Sequence, residues 1–383
     1  MVLIYCFYKI HQLLIIVNVN NKQKPFTHPT VNPFFNDYEM EENMRGVVLL
    51  GDRECCVKEF SDPIPNPGEV RVKMIASGIC GSDLHLYRMN KEQAKSRGDR
   101  VPGHEPCGIV DMVGHGVKKV KEGDRVTVYH YLGCGHCEYC ASGNLMWCRE
   151  ARGYGGPVDG SHADFIIADE RNCVPMPDSV SFIDGAFIAC PGGTAFSSMK
   201  KLDVKAGNPV AVFGLGPVGL SGVTVAKAMG GKVIGVDVLD LRLDIAQKMG
   251  VDAVVNAQTE DVVGAIRKFT NGKGVPLAFE ASGSTKGRTD IVNSLCRGGK
   301  AVFVGVGSNE NVINPSQIIG SQLTLMGSFV LPLWLTWEMV GFVASQGVSF
   351  EGAVTHRFSI DDAPEAYKIF DEGKTGKVVF EWS

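Results

Sequence analysis

Short, wholly apolar runs dominate the second half of the chain, separated by stretches in which apolar residues recur at helical spacing. Residues 210–213 are a run of the kind buried on both faces of a parallel sheet, and it stops at Gly214. Beyond it the pattern predicts a helix opening after the glycines, a strand at 232–236, a helix at 241–249, a strand at 253–255 and a helix at 259–269. A strand at 276–280, a helical segment at 291–295 and an apolar strand at 301–306 follow. Strands alternating with helices predict a parallel sheet covered on both faces, with ligands outside the carboxyl ends of its strands.

The first half reads differently. Residues 45–50 start a strand, and 69–76 alternate like a half-buried strand after the turn Pro65-Asn66-Pro67-Gly68. A helix near 194–199 crosses into the second half. Residues 342–350 and 354–358 lead to an amphipathic helix at 360–370, with Ala363-Pro364-Glu365 near its start, and 373–380 close on a strand. Residues 323–337 are rich in leucine and aromatic groups, which suits a core strand and helix, a subunit face or a hydrophobic substrate wall.

Residues 1–20 are apolar but broken by Lys9, His11 and Gln12, without a basic start or a small-residue cleavage site. They fall short of an uninterrupted span of about 20 apolar residues, so stable membrane insertion is not expected and weak attachment is the minority reading. Pro25, Pro29 and Pro33 among polar neighbours then read as linker, which makes residues 1–43 an extension. With 383 residues and 44% apolar composition the chain can bury two cores. A net charge of −4 with mixed signs gives no sign of a nucleic-acid partner. The 12 cysteines suit either a disulfide framework or metal binding in reducing surroundings; their short spacings favour metal and a cytoplasmic location.

Gly214-Leu215-Gly216-Pro217-Val218-Gly219 follows the apolar run directly. The first glycine permits a tight turn, the second a close approach to a pyrophosphate, and the third close packing of helix on strand; the helix amides then hold the phosphates. Asp237, at the end of the next strand, can accept both ribose hydroxyls and repel a 2′-phosphate, which argues for NAD over NADP unless neighbours such as Arg242 outweigh it. An ordinary strand–turn–helix unit is the plain alternative.

Cys134, Cys137, Cys140 and Cys148 have the spacing that closes four thiolates around one tetrahedral Zn²⁺. Four protein ligands leave no open position, so such a metal holds a loop and does no chemistry. His136 inside this lobe reads as a surface side chain. Upstream, Cys80 in Gly78-Ile79-Cys80-Gly81-Ser82-Asp83-Leu84-His85 and His104 in Gly103-His104-Glu105 are further zinc-ligand types, although a buried cysteine or a backbone-bonded histidine is the bland reading of each. Ser82 and Asp83 also suit helix caps, and His85 a solvated helix position.

From residue 44 to its end the chain resembles the zinc-dependent medium-chain alcohol dehydrogenases, and Gly103-His104-Glu105 followed by Gly108 and Val110 matches that family's zinc signature. The resemblance implies an α/β fold: a Rossmann doubly wound parallel sheet with a GroES-like β-rich catalytic domain. The expected partition is 44–195 for the GroES-like domain with its structural zinc lobe, 196–335 for the NAD-binding domain and 336–383 for a return to the catalytic domain. It further implies Cys80, His104 and Cys190 as ligands of a catalytic zinc, with Glu105 as a rival or exchangeable ligand, and the four lobe cysteines around a second, structural zinc. Ser82 would receive the alcohol proton, His85 pass it to solvent and Asp83 orient the zinc-bound histidine. Thr194 would pack behind the nicotinamide and Lys377 contact cofactor phosphate, while a helix cap and a solvated lysine are their ordinary readings. The implied reaction is reversible oxidation of a primary or secondary alcohol to aldehyde or ketone with NAD, in a homo-oligomer, a tetramer before a dimer. A polyol or L-threonine-type dehydrogenase is the alternative, and a non-catalytic zinc-stabilised nucleotide-binding protein the alternative of another class.

Overall fold

The structure, a computed structural model, describes residues 43–308, 310 and 312–382; the apolar start of the chain and the membrane reading placed on it lie outside these residues. Six parallel strands form one sheet in the spatial order Ala253–Asn256, Lys232–Asp237, Pro209–Phe213, Val275–Glu280, Leu295–Phe303 and Thr324–Gly327. Val210, Ala211 and Val212 are fully buried, because the helices Pro217–Ala228, Asp240–Lys248, Val262–Phe269 and Thr285–Ser294 alternate with the strands and cover the sheet. The order reverses beside Pro209–Phe213, and the glycine turn leaves the carboxyl end of that strand, where doubly wound sheets bind their ligands.

Three elements of this unit depart from the sequence expectation by more than a residue. The 259–269 helix begins at Val262, since the Asp261 side chain accepts the Gly264 amide and caps it. The helical segment at 291–295 is the longer Thr285–Ser294, started by Ser284 accepting from Gly287; its first turns are polar, so the apolar spacing signals only its end. Leu295 already opens the next strand, which stops at Phe303 and not at 306: the amides of Val304 and Gly305 both turn to the Glu280 carbonyl, and Val306 is exposed.

The other large sheet has seven strands. Its path runs Val354–Phe358, Lys377–Glu381, Glu69–Gly78, Pro106–Val113, Arg125–Val128 and Cys173–Pro175, with Phe165–Asp169 also paired to Glu69–Gly78. Val379 pairs with Gly78, so the last strand of the chain is stitched antiparallel to one of the first. Helices Phe182–Ala189 and Pro191–Leu202 join the sheets: Phe187 and Ile188 share one continuous core with Ala195, Phe196, Val210 and Val212. Cys190 occupies the break between the two helices, with φ −142° and ψ −79°. The apolar stretch at 323–337 becomes the sheet's edge strand Thr324–Gly327 and the start of helix Leu333–Gln346, and it exposes Phe329, Trp334 and Trp337. Among the described residues no helix is long and apolar enough to cross a membrane.

Candidate active site and cofactor cradle

The strand Glu69–Gly78 delivers the first site residue. Gly78 has to be glycine, because a Cβ there would lie 2.1 Å from Glu105 Oε2. Two residues on, the Cys80 amide donates to Asp83 Oδ2 at 2.8 Å, which fixes the loop as it turns into the short helix Asp83–Tyr87. The other carboxylate oxygen of Asp83 is 3.1 Å from His104 Nδ1, leaving Nε2 of the ring for the site. Burial pushes the Asp83 carboxyl up, but the charge and hydrogen bond of His104 together hold it below its ordinary value.

Cys190 closes the group from the helix break. Its sulfur is 4.0 Å from Cys80 Sγ, and the ligand atoms of Cys80, His104, Glu105 and Cys190 all lie within 4.8 Å of one another. Two thiolates bound at ~2.3 Å to one tetrahedral zinc stand ~3.8 Å apart, so this donor set fits the metal that the sequence implies. The Cys80 thiol is drawn well below its ordinary value, first by its hydrogen bond with Cys190 and then by His104, against the cost of burial. Thiolate character of this kind is what a zinc ligand needs. Ser82 Oγ is 3.3 Å from His104 Nε2, at the open side of the group. His85 is exposed one turn further along, and Thr194 is buried in the first turn of Pro191–Leu202, its amide donating to Cys190 O.

Glu105 and Lys377 form a buried ion pair that sequence reasoning missed. Lys377 Nζ donates to Glu105 Oε1 at 2.6 Å and to Ile79 O at 2.9 Å, and both side chains are sealed from solvent. Burial pushes the Glu105 carboxyl up to about 7 against the pull of the ammonium. Lys377 is thus buried and engaged with Glu105 beside the metal-binding group, in place of the cofactor-phosphate contact that the resemblance implies and of the solvated position that is its ordinary alternative. A second missed residue is His130, fully enclosed with Nδ1 2.6 Å from Ala189 O and its ring centroid 5.4 Å from that of His104. Burial pushes its pKa down to about 3, so it walls the site as a neutral ring. Its place between two tyrosines in Tyr129-His130-Tyr131 carries no spacing that would have exposed it.

The cysteine lobe is a separate group. The sulfurs of Cys134, Cys137, Cys140 and Cys148 lie within 4.8 Å of one another, with Cys134 Sγ and Cys140 Sγ 3.9 Å apart, again the spacing of thiolates sharing a tetrahedral ion. The amides of Cys134 and Glu150 both point at Cys148 Sγ from 3.4 Å, as donors that steady a thiolate. His136 is exposed and turns Nδ1 to the Cys134 carbonyl.

At the head of the six-stranded sheet, Gly214 has φ +82°, and a Cβ on it would meet the Ser282 backbone at 2.6 Å. A Cβ on Gly219 would stand 1.7 Å from Gly214 O, whereas one on Gly216 would meet nothing nearer than Arg242 at 3.8 Å. The middle glycine thus faces open space in front of the helix Pro217–Ala228, with Pro217 and Val218 in its first turn, as a pyrophosphate cradle requires. Asp237 is buried: Oδ2 accepts the Leu215 amide at 2.5 Å, and Oδ1 accepts those of Val238 and Leu239 at 2.7 and 3.0 Å. The acid therefore ties the glycine turn to the neighbouring strand and retains lone pairs for a further donor. Arg242 is held beside it, Nη1 3.9 Å away, by donating to the carbonyls of Thr375 and Gly373.

A glycine-turn nucleotide sheet joined to a β-rich sheet that carries a thiolate–imidazole group defines a zinc-binding, NAD(P)-linked dehydrogenase. Residues 66–178 match the alcohol dehydrogenase GroES-like domain and residues 217–344 the zinc-binding dehydrogenase domain, so the chain belongs to the zinc-type alcohol dehydrogenase family. It is 35% identical over 348 residues to the uncharacterized zinc-type alcohol dehydrogenase-like protein YphC of Escherichia coli K12, covering 88% of this chain and 98% of that one. It is 34% identical over 327 residues to the L-threonine 3-dehydrogenase of Pyrococcus abyssi, covering 84% and 93%. Among solved structures, the alcohol dehydrogenase rspB of Escherichia coli CFT073, complexed with NADH, superposes with a TM-score of 0.80 at 27% identity, over 89% of this chain and 99% of that one.

Proposed function

We propose that this enzyme oxidises a secondary alcohol with a polar neighbouring group, of the L-threonine or polyol kind, to the ketone with NAD. The observation that carries the reading is the convergence of Cys80, His104, Glu105 and Cys190 within 4.8 Å, next to Ser82. The similarity to an L-threonine 3-dehydrogenase over most of the chain favours this substrate class above a simple primary alcohol. A zinc ion held by Cys80, His104 and Cys190 would supply the Lewis acid, and NAD the hydride acceptor.

The chain's own residues do the rest. Asp83 locks the His104 ring so that Nε2 stays turned to the site. Ser82 Oγ takes the proton of the substrate hydroxyl, and His85, exposed one turn away, passes it to water. Thr194 fills the wall behind the nicotinamide. Lys377 holds Glu105 close to the metal-binding group as an exchangeable ligand. Asp237 accepts from the adenosine ribose and disfavours a 2′-phosphate. The four lobe cysteines hold a second zinc that fixes a loop. Exposed Phe329, Trp334 and Trp337, close in sequence to the edge strand Thr324–Gly327, supply an apolar face for a homo-oligomer, with a tetramer as the preferred state.

The test is a panel of L-threonine, other hydroxy amino acids, polyols and simple primary and secondary alcohols, each assayed with NAD and NADP. The reading expects the highest kcat/KM for a secondary alcohol with a polar neighbour and for NAD. A best substrate that is a simple primary alcohol contradicts the substrate class. Tight NAD binding with no turnover of any member contradicts catalysis itself.

A further inference from the structure

Next to the proposed proton path is a cavity of about 590 Å³ whose walls include His85, Arg88, Gln93, Ser96, Arg97 and Arg100. Three of these are arginines, and no carboxylate lines the cavity. The arrangement is built by the local chain. Helix Lys91–Arg97 is pinned at its start by a capping box between Asn90 and Gln93, and Gly98, at φ +71°, turns the chain so that Arg100 comes back beside Arg97.

The charges on this wall are unequal. Arg88 is paired with Asp371, which also takes Arg53. Arg97 and Arg100 form no ion pair among the described residues. Arg97 is only 9% exposed, yet it donates solely to main-chain oxygens: Arg100 O, Val101 O at 3.4 Å and Gly155 O at 2.8 Å. Arg100 likewise donates to Arg97 O at 2.9 Å and Gly156 O at 3.5 Å. Carbonyl dipoles solvate a guanidinium but leave its net charge, and a buried charge without a counter-charge is costly. Burial, with Arg100 adding to it, pulls the Arg97 guanidinium below its ordinary value. Of the acids in range, Asp83 is committed to His104 and the Cys80 amide, and the exposed Asp159 accepts the Val101 amide and makes no ion pair with either guanidinium. Two adjoining guanidiniums at a solvent-open cavity lack one thing, an oxyanion, which the planar fork of arginine matches in shape and charge.

We propose that the cavity walled by Arg97, Arg100 and His85 seats an oxyanion group of the substrate, so that the alcohol oxidised is itself an anion. The inference rests on the alcohol-oxidation reading for its link to turnover, through His85, which lines the cavity as well as the proton path. The group is a carboxylate or a phosphate.

The zinc-loaded full chain is titrated calorimetrically with acetate and with inorganic phosphate in a neutral zwitterionic buffer, as wild type, Arg100→Gln and Arg100→Lys. Arg100 is chosen because removing the more deeply buried Arg97 would also strip three carbonyls of their donor. One anion should bind the wild type, at least tenfold more weakly in Arg100→Gln, with Arg100→Lys between the two and zinc content equal in all three. Failure of both anions to bind, or equal binding by all three proteins, overturns the site. In parallel, kcat/KM is compared for L-threonine against its amide and for a polyol phosphate against the free polyol. The charged member of one pair should be favoured at least tenfold, and Arg100→Gln should collapse that ratio; the pair that responds names the anion. Anion binding without dependence in either pair overturns the substrate role. If nothing is turned over, the reaction reading fails while the titration still decides the site.

Discussion

Asp237 is the residue whose job the structure enlarges. Both its oxygens accept main-chain amides of the glycine turn and of the following loop, so it is a brace as well as a candidate ribose acceptor. Asp237→Ala should therefore weaken use of both cofactors by loosening the turn, but lower kcat/KM for NAD the more, by roughly tenfold or more, the scale of lost hydrogen bonds to a charged group, so that the preference for NAD narrows. A wild-type preference for NADP would instead show Arg242 outweighing the acid. His162 makes a second prediction. It is fully buried between Tyr367 OH, 2.8 Å from Nδ1, and the Gly78 carbonyl, 3.2 Å from Nε2, and burial pushes its pKa from 6.5 down to about 4. The unfolded chain takes this proton as pH falls through 6.5 and the folded protein only near 4, so stability is lost across that window, by on the order of 3 kcal/mol. Urea unfolding at pH 7 and pH 5 should show a shallower acid loss in His162→Gln, and an unchanged loss would contradict the assignment. The four lobe cysteines were legible in the sequence because thiolates at those spacings have few other uses, whereas Cys80, His104 and Cys190 joined one zinc set only through the family resemblance. Glu105 with Lys377 was not: the partners are 272 residues apart and meet only because the last strand pairs with Glu69–Gly78.

The turn from Phe213 to Pro217 shows how tightly an element can be specified. Gly219→Ala would set a methyl 1.7 Å from Gly214 O, and the turn would have to open. The expected cost is about 1–3 kcal/mol of stability, with NAD affinity down at least tenfold in a fluorescence titration; affinity within twofold of wild type would refute the close-packing role. The cysteine lobe is the other element under this kind of control. Cys137→Ser should release the lobe zinc and lower the melting temperature, because binding at a closed site is folding free energy. Metal analysis should fall from two zinc ions per chain to one, and retention of both would contradict the four-cysteine set. The strands of the nucleotide sheet could be read from polarity because burial on both faces forces unbroken apolar runs. Helix Thr285–Ser294 was half hidden because its polar first turns carry no apolar signal, and only the Ser284 cap marks where it begins.

For the whole molecule, the sequence conveyed two sheet systems but not their stitching. Helices Phe182–Ala189 and Pro191–Leu202 run one core into both sheets, and the break between them sets Cys190 opposite Cys80, 110 residues away. Neither periodicity nor composition encodes such a meeting. It follows from the pairing of distant strands, and only the family resemblance brought Cys190 into the site at the sequence level. In the proposed reaction the Cys80, His104 and Cys190 group supports hydride transfer from a substrate carbinol carbon to NAD. The most direct measurement uses the best substrate of the panel carrying deuterium on that carbon, with mass analysis of the nicotinamide product, for the wild type and for Cys80→Ser. The NADH formed should carry one deuterium and appear with a primary isotope effect, and a folded Cys80→Ser protein that still binds NAD should lose at least a thousandfold in rate. Unlabelled NADH, or full turnover by Cys80→Ser, would contradict it.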